Sequence, residues 1–192
     1  YEMWCCLVGL GDVYKRQAVA SRDIQKSRDF IDQCSQQVPH PNTPLALGSY
    51  EELLSREDVD AIYLPLPTGL RHEWALKVAG AGKHLLCEKP CGINAEQVEE
   101  ITSACERAGV QFMDGVMFMH SERMKRIRAV IDDGKSVGKL RRINTQFSFC
   151  APEEFLTQNI RMHSDLEPHG CLGDLGWYTL RFILWVMKYE KP

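Results

Sequence analysis

Apolar positions in this chain fall into two alternating patterns. Short runs of strand length occur at 6–11, Ala18–Ala20, Leu45–Leu47, Ala61–Leu64, His84–Cys87 and 110–113. The segments between them carry apolar residues at helical spacing. Ile24, Ile31, Cys34 and Val38 mark a first helix, which Pro39-His40-Pro41-Asn42 ends. Ser49 with Glu52 three residues on is a capping box that opens a brief helix holding Leu53 and Leu54. Thr68 is placed to cap a helix with Trp74 and Val78 inside, closing at Gly80 or Gly82. Asn94 caps another, with Val98, Ile101, Cys105 and Ala108 on one face and Gly109 at its end. Strands that alternate with helices in this way predict an α/β fold built on a doubly wound parallel sheet.

Beyond about His120 the pattern changes. The spacing predicts an amphipathic helix over 121–133 (Met124, Ile127, Ile131) stopped by Gly134. The stretch 141–150 then alternates, with Ile143, Thr145, Phe147 and Phe149 on one side, as a half-buried antiparallel strand does. The stretch 175–187 is apolar nearly all round and predicts a buried helix. The division expected is therefore 1–120 for the doubly wound domain and 121–192 for the beginning of an incomplete α+β domain. The N-terminal part reads as damaged. Cys6-Leu7-Val8-Gly9-Leu10-Gly11 enters a Gly-x-Gly turn, but only six residues, Asp12 to Gln17, separate it from the next strand. A parallel crossover needs a dozen or more. With no initiator methionine before Tyr1, an imperfect gene fragment is the expectation.

Composition narrows the function classes. A hydrophobic share of 44%, 26% charged residues and a net charge of -3 are ordinary for a soluble globular protein and give no reason to expect nucleic-acid binding. No apolar run is long enough to span a bilayer, and no secretory leader is recognisable. Eight cysteines include no Cys-x-x-Cys pair and mostly lie in apolar periodic segments, so a reducing, cytoplasmic setting is the default. His84, Cys87 and Cys91 could be imagined as zinc ligands, but a fourth at a recognised spacing is missing, and no metal is expected.

The stretch from Gly82 to Pro90 carries the chemistry. A short buried strand delivers Glu88, Lys89 and Pro90 at its carboxyl end, where open α/β sheets bind ligands. Pro90 fixes its own φ and keeps Lys89 out of the α region. From spacing alone, a solvated Glu-Lys pair before a helix-starting proline is slightly the better reading. Leu64-Pro65-Leu66-Pro67-Thr68 and His72 precede this triplet, and Gly170-Cys171-Leu172-Gly173-Asp174-Leu175-Gly176-Trp177-Tyr178 follows it. With these two signatures in this order, the chain from about Ala18 onward resembles the Gfo/Idh/MocA oxidoreductases. Within them it is most similar to the branch of dimeric dihydrodiol dehydrogenase and NADP-dependent D-xylose dehydrogenase. The resemblance implies a Rossmann-type sheet, a full helix in the interval now held by 12–17, and a cis Lys89-Pro90 peptide. It further implies an NAD(P)-dependent dehydrogenase acting on a sugar or cyclic diol, a homodimer when full length.

Hydride transfer from an alcohol carbon requires a base for the hydroxyl proton and a held cofactor. A phenol with a pKa of about 10 is a poor base until a neighbouring ammonium stabilises its phenolate. The resemblance assigns that pair to Lys89 and Tyr178, with Asp174 as an orienting group. Read alone, Tyr178 fits a core aromatic and Asp174 a helix cap. Gly9 and Gly11 would approach the phosphates. Ser21 and Arg22 follow the second strand, where a hydroxyl and a guanidinium suit a 2′-phosphate, hence NADP; as surface residues at a strand end they need no function. The resemblance adds Leu66, Pro67, Thr68, His72, Glu88 and Pro90 to the cofactor side, and His120 and Arg161 to the substrate side. Two other functions share the fold: a cofactor-sensing regulator, against which Lys89, Asp174 and Tyr178 together argue, and an NAD-dependent glycosidase.

Overall fold

The computed structural model describes residues 18–37 and 42–190. The first strand expected at 6–11, the interval 12–17 and Val38 lie outside the described residues. The chain divides into two compact units, Tyr1–Asp114 and Gly115–Pro192.

The first unit is built from β1 (Ala18–Ala20), α1 (Ile24–Gln37), β2 (Leu45–Leu47), α2 (Tyr50–Leu54), β3 (Ala61–Leu64), α3 (Thr68–Gly80), β4 (His84–Cys87), α4 (Ala95–Arg107) and β5 (Phe112–Asp114). β1 pairs with β2, and β4 lies between β3 and β5; every pairing is parallel. Each connection between paired strands contains a helix, as parallel pairing demands. The helices bury Leu53, Ala75, Val78, Ile101 and Cys105 against Ala20, Leu47, Ile62, Leu64, Leu85 and Cys87 of the strands in one continuous core. This is the α/β fold with parallel sheets that the alternating pattern predicted.

Local signals explain most boundaries. Ser49 Oγ accepts the Glu52 N–H at 3.0 Å, and the Glu52 carboxylate accepts the Gly48 N–H at 3.3 Å. Asn94 Oδ1 accepts the Gln97 N–H at 2.9 Å and so caps α4. Three expectations shift. Thr68 is the first helical residue of α3, not its cap; Pro67 stands at the cap without a side-chain bond, and the Thr68 hydroxyl accepts a hydrogen bond from Arg71 instead. On α1, Ser27 and Ile31 turn inward while Ile24 is exposed, because the Ser27 hydroxyl donates to the Leu47 carbonyl at 2.8 Å. β5 starts at Phe112 because the Val110 N–H is drawn back to the Cys105 carbonyl at the end of α4, with Gly109 at a φ of 66°.

The second unit opens with a 3-10 turn, Met117–His120, then α5 (Glu122–Asp132), the short α6 (Phe155–Gln158), a turn at Ile160–Met162, a π-helical turn at Leu172–Gly176 and α7 (Trp177–Val186). Arg128 of α5 donates to the carbonyls of Trp185 and Val186 and stacks over the Trp185 ring at 4.1 Å. Cations are stabilised at a helix C-terminus in this way. Two expectations fail here. The stretch 141–150 forms no ladder, since no described segment pairs with it; Ile143 and Thr145 are half-buried but Phe147 and Phe149 are exposed. The 175–187 helix is not buried all round. Only Val186 is fully enclosed, whereas Leu180, Leu184 and Met187, which share one face, are exposed.

Candidate functional site

In the first unit the predicted residues gather at the carboxyl ends of β1, β3 and β4. The β4 backbone runs on past Cys87, with the Glu88 N–H donating to the Leu64 carbonyl at 3.1 Å. Glu88 is fixed at both carboxylate oxygens: the Tyr63 hydroxyl donates to Oε1 at 2.7 Å and the Lys89 N–H to Oε2 at 3.1 Å. Lys89 is buried, at 9% exposure, and the Lys89-Pro90 peptide is cis, as the resemblance implied. The Pro90 carbonyl accepts a 2.6 Å hydrogen bond from Arg71, whose guanidinium also donates to Thr68 Oγ1 at 3.0 Å. Beneath the loop, the neighbouring Cys91 thiol and burial together push the Cys87 thiol well above its ordinary pKa. It is a core thiol and not a nucleophile.

Ser21 follows β1 directly. Its N–H donates to the Leu47 carbonyl at 3.2 Å, while its hydroxyl oxygen is buried with no partner among the described residues. A buried hydroxyl left unsatisfied is costly, so such an atom points to a ligand group that completes it. The neighbouring Arg22 is exposed. Leu66, Pro67 and Thr68 are buried in the turn that enters α3. His72 reaches sideways from α3 to α4, with its Nε2 2.6 Å from Glu100 Oε2. Gly9 and Gly11 lie outside the described residues.

In the second unit, the π-helical turn carries Asp174 into an ion pair with Arg161, Nε to Oδ2 at 2.8 Å. Asp174 is the enclosed partner, with 16% of its side chain exposed against 46% for Arg161. The structure thus joins one residue expected to orient and one expected to meet substrate. Tyr178, in the first turn of α7, packs against the Phe147 ring edge-on at 5.2 Å and against Phe118 at 6.0 Å. These rings line a cleft of about 570 Å³ that also takes in Asn144, Gln146 and Thr179. His120 ends the 3-10 turn on the surface and does not line that cleft.

Sequence reasoning missed Tyr63 and Arg71. Arg71 left a signal: with Thr68, Ala75 and Val78 it falls on the single inward stripe of α3, where a charge has no solvent to face.

The model of the oxidoreductase family with an NAD-binding Rossmann fold, Gfo/Idh/MocA, matches residues 6–116. The chain is 32% identical over 167 residues to D-xylose 1-dehydrogenase (NADP(+)) 2 of Haloferax volcanii, covering 87% of this chain and 48% of that one. It is 32% identical over 175 residues to trans-1,2-dihydrobenzene-1,2-diol dehydrogenase of Bos taurus, covering 91% and 48%. Among solved structures it is similar to a 3-ketoreductase from Actinomadura kijaniata in complex with NADP and TDP-benzene. That match has a TM-score of 0.80 and 28% identity, covering 92% of this chain and 50% of the other. The chain spans about half the length of the curated relatives it matches. With a parallel α/β unit that carries Glu88-Lys89-Pro90 at a strand end, and a family match over most of that unit, the chain belongs to the Gfo/Idh/MocA family of oxidoreductases with an NAD-binding Rossmann fold.

Proposed function

We propose that the protein carrying this chain is an NADP-dependent oxidoreductase acting on a CH–OH group of a sugar or a cyclic diol. The first unit holds the cofactor and the second begins the substrate domain. The observation that carries this reading is the framed lysine. Lys89 is buried at the end of β4, between a carboxylate fixed by Tyr63 and a carbonyl fixed by Arg71. Burial of a lysine costs free energy, and its retention at a strand's carboxyl end is accounted for by chemistry on a bound ligand.

The nicotinamide, when bound, supplies the hydride acceptor or donor. The residues present fit it: Ser21 offers a buried hydroxyl without a partner, and Arg22 a guanidinium beside it, which suits a 2′-phosphate better than bare ribose hydroxyls. Leu66, Pro67 and Thr68 belong to the same side. Tyr178 takes the substrate hydroxyl proton on oxidation and returns it on reduction, and Lys89 is the second member of that acid–base pair. Asp174, already held by Arg161, orients the substrate.

The test is reduction of NADP+ and of NAD+ by the full-length protein that carries this chain, with a panel of aldoses and cyclic diols. Turnover with NADP+ is expected. Lys89→Met and Tyr178→Phe each lower kcat by on the order of 10²–10⁴, the usual worth of a positioned acid or base. Ser21→Asp weakens NADPH binding about tenfold or more, by setting a carboxylate against the phosphate. NADPH binding without turnover on any substrate would instead favour the sensing regulator, and glycoside cleavage without net reduction the glycosidase.

A further inference from the structure

Arg71 is the one charged residue on the buried stripe of α3, at 6% exposure. Its guanidinium donates to the Pro90 carbonyl at 2.6 Å and to Thr68 Oγ1 at 3.0 Å, and its Nε is buried without a partner. Among the described residues no carboxylate pairs with it. A buried cation without a counter-ion is expensive, and an apolar side chain would serve the core better. What the guanidinium provides that an apolar residue cannot is two directed bonds from one planar group. They join the first turn of α3 to the carbonyl that follows Lys89.

We propose that Arg71 is the positioning residue for Lys89, fixing from α3 where the lysine side chain leaves the end of β4. Arg71 touches neither the amine nor a substrate. It acts through the Pro90 carbonyl, so that the lysine's backbone is clamped on one side by Glu88 and on the other by Arg71. The assignment rests on the reading of Lys89 as half of the acid–base pair.

Trace acetylation with acetic anhydride, read per lysine by peptide mass spectrometry, tests the clamp without any turnover. β4 supplies its own control. Lys83, just before the strand, and Lys89, just after it, are both 9% exposed, and Lys83 Nζ is held separately by the Arg56 carbonyl at 2.6 Å. In Arg71→Met, Lys89 labelling, normalised to exposed Lys125, is expected to rise about tenfold through local opening, with Lys83 unchanged. Arg71→Lys, which keeps the charge but loses the planar fork, should give an intermediate rise. In the same variants kcat should fall by roughly 10–100-fold while KM for NADP+ holds, as for a misplaced catalytic group. Labelling that rises equally at Lys83 and Lys89 would reduce Arg71 to a general packing role and overturn the proposal. So would no change at Lys89 in a folded variant. If Arg71→Met does not fold, Arg71→Lys and Arg71→Gln carry the same comparison. Absence of turnover in the unsubstituted protein would refute the oxidoreductase reading, yet leave the labelling result to decide the clamp.

Discussion

Tyr63 and Leu86 are opposite one another in the β3–β4 ladder, and Glu88 lies two residues further on, which brings its carboxylate under the Tyr63 hydroxyl. A hydrogen bond to a charged acceptor contributes about 1.5–3 kcal/mol. Because this pair is only part-buried, Tyr63→Phe should destabilise the protein by about 1.5 kcal/mol, at the low end of that range, as measured by urea unfolding. Cys87 and Cys91 are enclosed under the same loop, whereas Cys150 and Cys171 are exposed. Among the cysteines of the described residues, N-ethylmaleimide should therefore modify Cys150 and Cys171 first and leave Cys87 untouched until unfolding. The raised Cys87 pKa also sets a pH dependence. The unfolded thiol ionises near its free value of about 8.5, while the folded one stays protonated, so the native state binds more protons above that pH. Stability is complete below about 8.5 and falls as the pH climbs beyond it, and Cys87→Ala should flatten part of that alkaline slope in urea midpoints. At this scale the sequence displayed contiguous chemistry and hid the rest. Glu88-Lys89-Pro90 could be read as a unit, but the donor that holds Pro90 comes from Arg71, in another helix.

At the scale of elements, local signals were sufficient wherever a segment's partners were its own neighbours. The Ser49 and Asn94 caps, and the strands at 45–47, 61–64 and 84–87, could all be read from the chain. Asn94→Ala should cost about 1 kcal/mol by freeing the Gln97 N–H. Ile101→Ala, at 0% exposure on the inward face of α4, should cost about 2–5 kcal/mol by leaving a cavity. Both are read from thermal or urea melts, and an Asn94→Ala loss as large as that of Ile101→Ala would contradict the assignment of the cap as a local feature. Segments whose partners are distant were not legible. Alternation over 141–150 states which residues could face a core but cannot provide a paired strand. The run at 175–187 has the composition of a buried helix, yet a side chain is buried only where another element covers it, and Leu180 and Leu184 stay exposed. Asp174 and Tyr178, four residues apart, span a junction between a π-helical turn and α7, so the ordinary helical face rule does not carry across unchanged.

Across the whole molecule, the two units differ in what holds each together. The first has a continuous buried core under parallel ladders. The second relies on short helices, ring contacts around Tyr178 and the Arg161–Asp174 pair, and between α5 and α6 its backbone has neither helix nor ladder. Alternation over 141–150 gave no sign of how little backbone pairing the second unit would contain. Local opening is easiest where backbone hydrogen bonds and buried apolar contacts are fewest. Lys135, Lys139, Arg141 and Arg142 are all exposed in that stretch. Brief trypsin digestion should therefore cut the described part of the chain first between Lys135 and Arg142. Arg71 and Lys83, buried in the first unit, should be spared at that stage, along with Arg107 at the end of α4. Mass spectrometry of the first fragments decides the matter. Cuts at Arg71 or Lys83 as early as those near Arg141 would mean that the core of the first unit opens as readily as the unpaired stretch of the second, which its burial does not allow.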